Sequence, residues 1–162
     1  MAPTGLGRTA FYRYFTDLDA LLLRRLGQIE SDLREASRQW LESRGEPRED
    51  MMVTTTALAT LFRDHAPLLG AIADASARGP ELEHTWRATV TRFVRPTAVR
   101  LQVWIDEGLI ALDEPVETAK ALVWMTERYL LESYRENPAL PVPVAANTLA
   151  TIWWRVLFPN LA

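Results

Sequence analysis

The chain reads as an all-α fold, and three features predict it. Apolar residues recur at alternating three- and four-residue steps over most of the length, the spacing that puts them on one face of a helix. Each such run is closed by a helix-stopping pair or single residue, among them Gly45 with Pro47, Ala66-Pro67, Gly79-Pro80, Gly108 and Asn137-Pro138. No segment alternates apolar and polar residues as a half-buried strand does, and no internal repeat or low-complexity tract is present.

Gly5-Leu6-Gly7 reads as a turn, followed by a short helix over Arg8–Phe15. Phe11 and Phe15, four residues apart, share its inward face, and Arg8, Thr9, Tyr12 and Arg13 stay outward. Thr16 followed by Asp19 resembles a capping box that starts a long second helix. Its stripe is Leu22, Leu26, Ile29, Leu33, Ala36 and Trp40, and Arg44-Gly45-Glu46-Pro47 ends it. A further helix is expected from Glu49 to Asp64, with Met51, Thr55, Leu58 and Phe62 on one face. Pro67 suits the first turn of a short helix reaching Arg78. From Pro80 a single helix is expected to run toward Gly108, with Trp86, Val90, Phe93, Thr97, Leu101 and Trp104 as its stripe and a kink at Pro96. Glu114-Pro115 opens a helix to Glu136, residues 138–143 form an extended connector, and a last helix spans Val144–Phe158.

Composition narrows the function classes. With 162 residues and 48% hydrophobic content, the chain has one substantial core and room for a small appendage. It has no cysteine, which excludes disulfides, thiolate metal sites and thiol nucleophiles and fits a reducing cytoplasm, the expected location. No apolar run approaches a membrane span. The net charge of −3 does not suit a protein coated with nucleic acid. Residues 1–15, however, carry Arg8 and Arg13 and no acid, a basic tip on an acidic body.

Catalysis is not expected. Of the two histidines, His65 precedes a helix break and His84 sits in an acidic first turn, and neither has a partner at metal-ligand spacing. Glu81 to His84 is a single Glu-x-x-His, without the second copy a di-iron bundle needs. No glycine-rich phosphate loop and no nucleophile with an evident base occur, so no cofactor or metal is expected.

The turn and outward side chains of residues 5–15 read as the second half of a helix-turn-helix. Arginine can fork onto guanine, and tyrosine and threonine hydroxyls suit phosphate oxygens. With the Phe11-Tyr12-Arg13-Tyr14-Phe15 block running directly into a long helix, the chain resembles the TetR family of bacterial one-component regulators. Met125-Thr126-Glu127-Arg128, the Trp86 helix and Thr151-Ile152-Trp153 look most like the branch containing the ethionamide-resistance regulator. The resemblance implies a TetR-type helical regulatory domain over residues 17–162, for ligand binding and dimerisation, and a partial helix-turn-helix over residues 1–16. It implies a repressor that binds operator DNA as a homodimer and is released by a hydrophobic small molecule.

By the same resemblance, Arg8 and Thr9 fall where relatives read bases, Tyr12 and Tyr14 where they grip phosphates, and Arg13 beside them. The family's first two helices, on the order of 25 residues, are not expected in the four residues before Gly5. Gly7, Ala10 and Leu18 stand where the family usually has a capping hydroxyl, a second hydroxyl and a phosphate-contacting lysine. These departures predict weakened operator binding for the chain as written. The alternative is a ligand-binding dimerisation module without specific DNA binding.

In this branch the ligand lies lengthwise between helices. The matching positions are Met51, Leu58, Phe62, Trp86, Val90, Phe93, Thr97, Val123, Thr126, Glu127 and Trp153, an aromatic-lined tube with sparse polar groups. Thr97 and Thr126 are the expected polar anchors. Glu127 is read first as an internal ion pair with Arg128 that fixes the helix, and second as a ligand contact. The implied mechanism is a population shift in which a ligand in the tube re-tilts the long Leu22–Trp40 helix and changes the spacing of the two reading heads. The homodimer is expected through the last two long helices, with Ala119, Leu122, Tyr129, Leu130, Leu149, Trp154 and Val156 as candidate contacts.

Overall fold

A computed structural model describes residues 8–43, 45–76, 80–135 and 139–159, with side chains from residue 20 onward except Ser76. Seven helices are found among these residues and no strand: α1 (Arg8–Glu42), α2 (Pro47–Asp64), α3 (Ala66–Ser76), α4 (Pro80–Thr91), α5 (Val94–Asp106), α6 (Pro115–Arg135) and α7 (Val142–Leu157). No helix among the described residues is long and apolar enough to cross a membrane.

The break expected at Thr16 is absent, because α1 is one helix from Arg8 to Glu42. No proline or glycine lies between Arg8 and Leu26, so nothing local stops propagation once the helix has nucleated. Its stripe buries Leu22, Leu26, Ile29, Leu33 and Trp40, with Ser37 in the place expected of Ala36. Helix α2 starts at Pro47, earlier than expected, since proline's fixed φ and missing N–H are tolerated in a first turn. The last connector is likewise shorter, with Val142 and Pro143 already in the first turn of α7.

The stretch from Pro80 to Asp106 is two helices. Pro96 cannot donate to the Arg92 carbonyl, and the chain breaks one turn earlier, at Arg92-Phe93. There the Phe93 N–H donates to the Val90 carbonyl at 3.1 Å, a tightened three-residue step, and Thr97 resumes the regular pattern onto the Phe93 carbonyl at 3.2 Å. Helix α5 ends in a Schellman motif. Gly108 takes φ of +71°, its N–H donates to the Ile105 carbonyl, and the Leu109 N–H reaches the Trp104 carbonyl at 2.9 Å.

Helix α2 is central, packing along α7 on one side and α1 on another, while α5 packs on α6. Ala59, Ala145 and Ala146 are buried on the α2 and α7 faces, and such small side chains let helix axes approach closely. The core divides into two clusters. One is mostly aliphatic, with Leu26, Ile29, Leu69, Ile72, Leu130 and Leu149. The other is aromatic, built around Trp40, Trp104, Trp153 and Phe158 with Met51 and Leu101. Cross-links fix α1 and α3 to their neighbours: Arg92 pairs with Glu30, His65 with Asp32 at 3.5 Å, and Arg135 with Asp74 at 2.8 Å.

Candidate functional site: a cavity between the two cores

The two clusters do not close on each other. Between them lies a cavity of about 90 Å³, room for roughly six to nine water molecules at 10–15 Å³ each. Its walls come from every helix except α3. Leu33 and Phe62 reach it from the aliphatic cluster, and Trp40, Met51 and Trp153 from the aromatic one. The break between α4 and α5 shapes one wall. It lets Trp86 and Val90 on α4, Phe93 at the break and Thr97 on α5 all line the same space.

Every tube position implied by the family resemblance lines this cavity. Met51, Leu58 and Phe62 come from α2, Trp86, Val90, Phe93 and Thr97 from the broken pair, Val123, Thr126 and Glu127 from α6, and Trp153 from α7. The sequence reading missed the α1 wall, Leu33, Ser37, Trp40 and Leu41, and also Thr54 and Thr55 on α2. Neither Ser37 nor Thr54 lay on the stripes read from the sequence, which ran through Ala36 and Thr55.

The polar groups are few and specific. The Trp86 Nε1–H donates to Glu127 Oε1 at 2.8 Å, and the Trp153 Nε1–H donates to Thr126 Oγ1 at 3.0 Å. Thr55 turns its hydroxyl back onto the Met51 carbonyl at 2.8 Å, whereas Thr54 Oγ1 is buried without a partner. Glu127 is 5% exposed, and burial pushes its carboxyl above the ordinary glutamate range, opposed by the Trp86 hydrogen bond and the Arg128 charge. The internal pair with Arg128 is weak, with Arg128 Nε 4.0 Å from Oε2, while the same guanidinium donates to Glu132 at 3.2 Å.

The expected DNA-reading residues Arg8, Thr9, Tyr12, Arg13 and Tyr14 fall on the first turns of α1, and their side chains lie outside the described residues. Of the candidate dimer contacts, Ala119, Leu122, Leu130 and Leu149 are at most 4% exposed and belong to the chain's own core. Tyr129 and Trp154 are half-buried and Val156 is exposed. Among the described residues no three metal-ligating side chains converge.

Comparison with known proteins agrees with this architecture. The family described as transcriptional regulator EthR, C-terminal domain, matches residues 52–158, the span from the second turn of α2 to the end of α7. The chain is 29% identical over 153 residues to the HTH-type transcriptional regulator EthR of Mycobacterium tuberculosis strain H37Rv, covering 92% of this chain and 71% of that protein. The EthR of Mycobacterium bovis matches with the same identity and coverage. These relatives are named as transcriptional regulators and not as enzymes. With the family match spanning most of the helical bundle that encloses this cavity, the chain belongs to the EthR branch of the TetR family of transcriptional regulators.

Proposed function

We propose that the chain is a ligand-responsive repressor of transcription, in which residues 1–16 read operator DNA and residues 17–162 form the sensor and dimerisation body. The observation that carries this reading is that α1 serves both ends. It begins at Arg8, in the segment that resembles a recognition helix, and its Leu33, Ser37, Trp40 and Leu41 form a wall of the cavity.

A helix so placed acts as a lever. From Leu33 back to Arg8 is roughly 38 Å at 1.5 Å per residue, so a tilt of about 5° at the cavity moves the far end by about 3 Å. In a dimer the two reading heads must match half-sites at a fixed spacing, and a displacement of that size at each head breaks the match. A ligand that fits the cavity better in the tilted state shifts the population toward release. Apolar walls with isolated hydroxyls and one carboxyl suit a long, mostly hydrocarbon molecule with a single polar centre.

Dimerisation through α6 and α7 is supported by apolar side chains left on their outer surfaces. Ile152 and Val156, one turn apart on α7, are 38% and 44% exposed, and Val116 on α6 is 55% exposed. Calorimetric titration with 1-decanol tests the ligand step. Wild type should bind one equivalent, and Val123→Trp, which places an indole in the cavity, should bind none while remaining folded. Equal binding by both would move the ligand site elsewhere.

A further inference from the structure

Three residues lining the cavity each carry a buried polar atom without a hydrogen-bond partner, Trp40 Nε1, Thr54 Oγ1 and Glu127 Oε2, and of these only the carboxylate oxygen can bear a charge. Glu127 Oε1 accepts the Trp86 N–H, but Oε2 is buried and receives no hydrogen bond. The Arg128 Nε, 4.0 Å away, is beyond hydrogen-bond reach, and that side chain is 63% exposed, so its charge is shared with water and with Glu132. Among the described residues that line the cavity, Glu127 is the only charged side chain. The remaining polar side chains there are Ser37 and four threonines, together with the indole N–H groups. A carboxylate in apolar surroundings, with one oxygen satisfied and the other bare, is a site built for a donor that arrives from outside.

We propose that the cavity selects elongated apolar molecules ending in a protonated amine, with the ammonium seated on Glu127 Oε2 and the hydrocarbon running between the two cores. This rests on the reading of the cavity as the ligand site and adds the chemical class of the ligand's head. An ammonium brings a full charge and three donors, where an alcohol brings one donor and no charge. A carboxylate-headed chain meets like charge at Glu127 and should be the poorest occupant.

The test is calorimetric titration of the full chain with decylammonium chloride, 1-decanol and sodium decanoate, each against wild type and Glu127→Gln. Wild type should bind the amine more tightly than the alcohol by on the order of tenfold or more, the usual margin of a charged over a neutral hydrogen bond. Decanoate should bind most weakly. Glu127→Gln keeps an acceptor for Trp86 and should bring amine and alcohol within about threefold of each other.

Equal binding of amine and alcohol by wild type overturns the proposal and leaves the cavity reading standing. An amine preference that survives in Glu127→Gln is surface attraction to a chain of net charge −3, and also overturns it. Failure of all three chains to bind overturns the proposal together with the cavity reading. If Glu127→Gln does not fold, the carboxyl carbon resonance of Glu127 in wild type decides. Displacement by the amine but not by the alcohol supports the proposal, and no displacement by either overturns it.

Discussion

The aromatic cluster and the cavity beside it use tryptophan in opposite ways. Trp104 is 2% exposed and surrounded by other groups' faces and edges: Trp40 edge-on at 5.0 Å, Phe158 at 5.4 Å, and the Arg100 guanidinium 4.9 Å above its ring. Trp86 and Trp153 are nearly as buried, at 9% each, yet their N–H groups end on Glu127 and Thr126 at the cavity wall. Trp40 joins the two regions, edge-on to both Trp104 and Trp153 and itself part of the wall. Depth of burial does not separate scaffold from site here. Contact with the cavity does: Trp86 and Trp153 line it, and Trp104 does not.

Substitutions can break that distinction. The largest effect is expected from Trp104→Ala, which deletes a fully packed ring and should cost about 3–5 kcal/mol in urea unfolding, while the folded fraction still binds decyl chains. A cost under about 1 kcal/mol would remove Trp104 from the scaffold class. Trp86→Phe keeps an aromatic ring, though a smaller one, and removes the hydrogen bond to Glu127. The lost bond should cost about 1.5–3 kcal/mol where the carboxyl is ionised, as expected for a bond to a charged group, and much less in acid, where the carboxyl is neutral. An equal cost at both pH values would mean that packing, not the hydrogen bond, is what Trp86 contributes.

Thr54→Val sharpens the comparison in the other direction. Its hydroxyl is buried on the cavity wall with no partner, so replacing it by a methyl group should raise stability by about 1 kcal/mol. A loss of similar size would reveal that Thr54 is in fact satisfied in solution.

The smallest effect is one of slope. The Glu127 carboxyl is raised in the folded chain, mainly by burial, so the native state holds its proton at pH values where the unfolded chain has released it. Its contribution is fully present below the ordinary glutamate range and is lost as pH rises through the raised folded value. Glu127→Gln should remove this fall, so the stability difference between variant and wild type should grow in the variant's favour across that window. A difference that stays flat with pH would show that Glu127 titrates alike in both states.

Much of the fold was legible because punctuation and stripe agree. Pro47, Pro67, Pro80, Pro115 and Gly108 bound their helices close to where their chemistry demands, and Leu22 to Trp40 lie on one buried face. What was not legible depends on contacts between elements. The division at Arg92-Phe93 could be read as a kink at Pro96, but not as two helices. Ser37 could not be told from Ala36 as the inward residue until α2 and α7 were in place.

The cavity positions on α2, α4, α6 and α7 came from family likeness rather than from spacing, because a Trp or Phe at helical period reads equally well as core. The α1 wall was missed for the same reason. The free oxygen of Glu127 was invisible in the sequence, since Arg128 stands next to it there and the two side chains diverge only on the folded helix.

The central claim is that filling the cavity moves α1. The chain has no cysteine, so spin labels on Leu21→Cys in α1 and Val99→Cys in α5, both exposed positions, report that movement cleanly by pulsed dipolar spectroscopy. A tilt of about 5° about Leu33 displaces position 21 by on the order of 1–2 Å. The account predicts that saturating 1-decanol shifts the distance distribution by about that amount, and that Val123→Trp abolishes the response. Superimposable distributions with and without bound ligand would contradict it, leaving a cavity that binds without signalling.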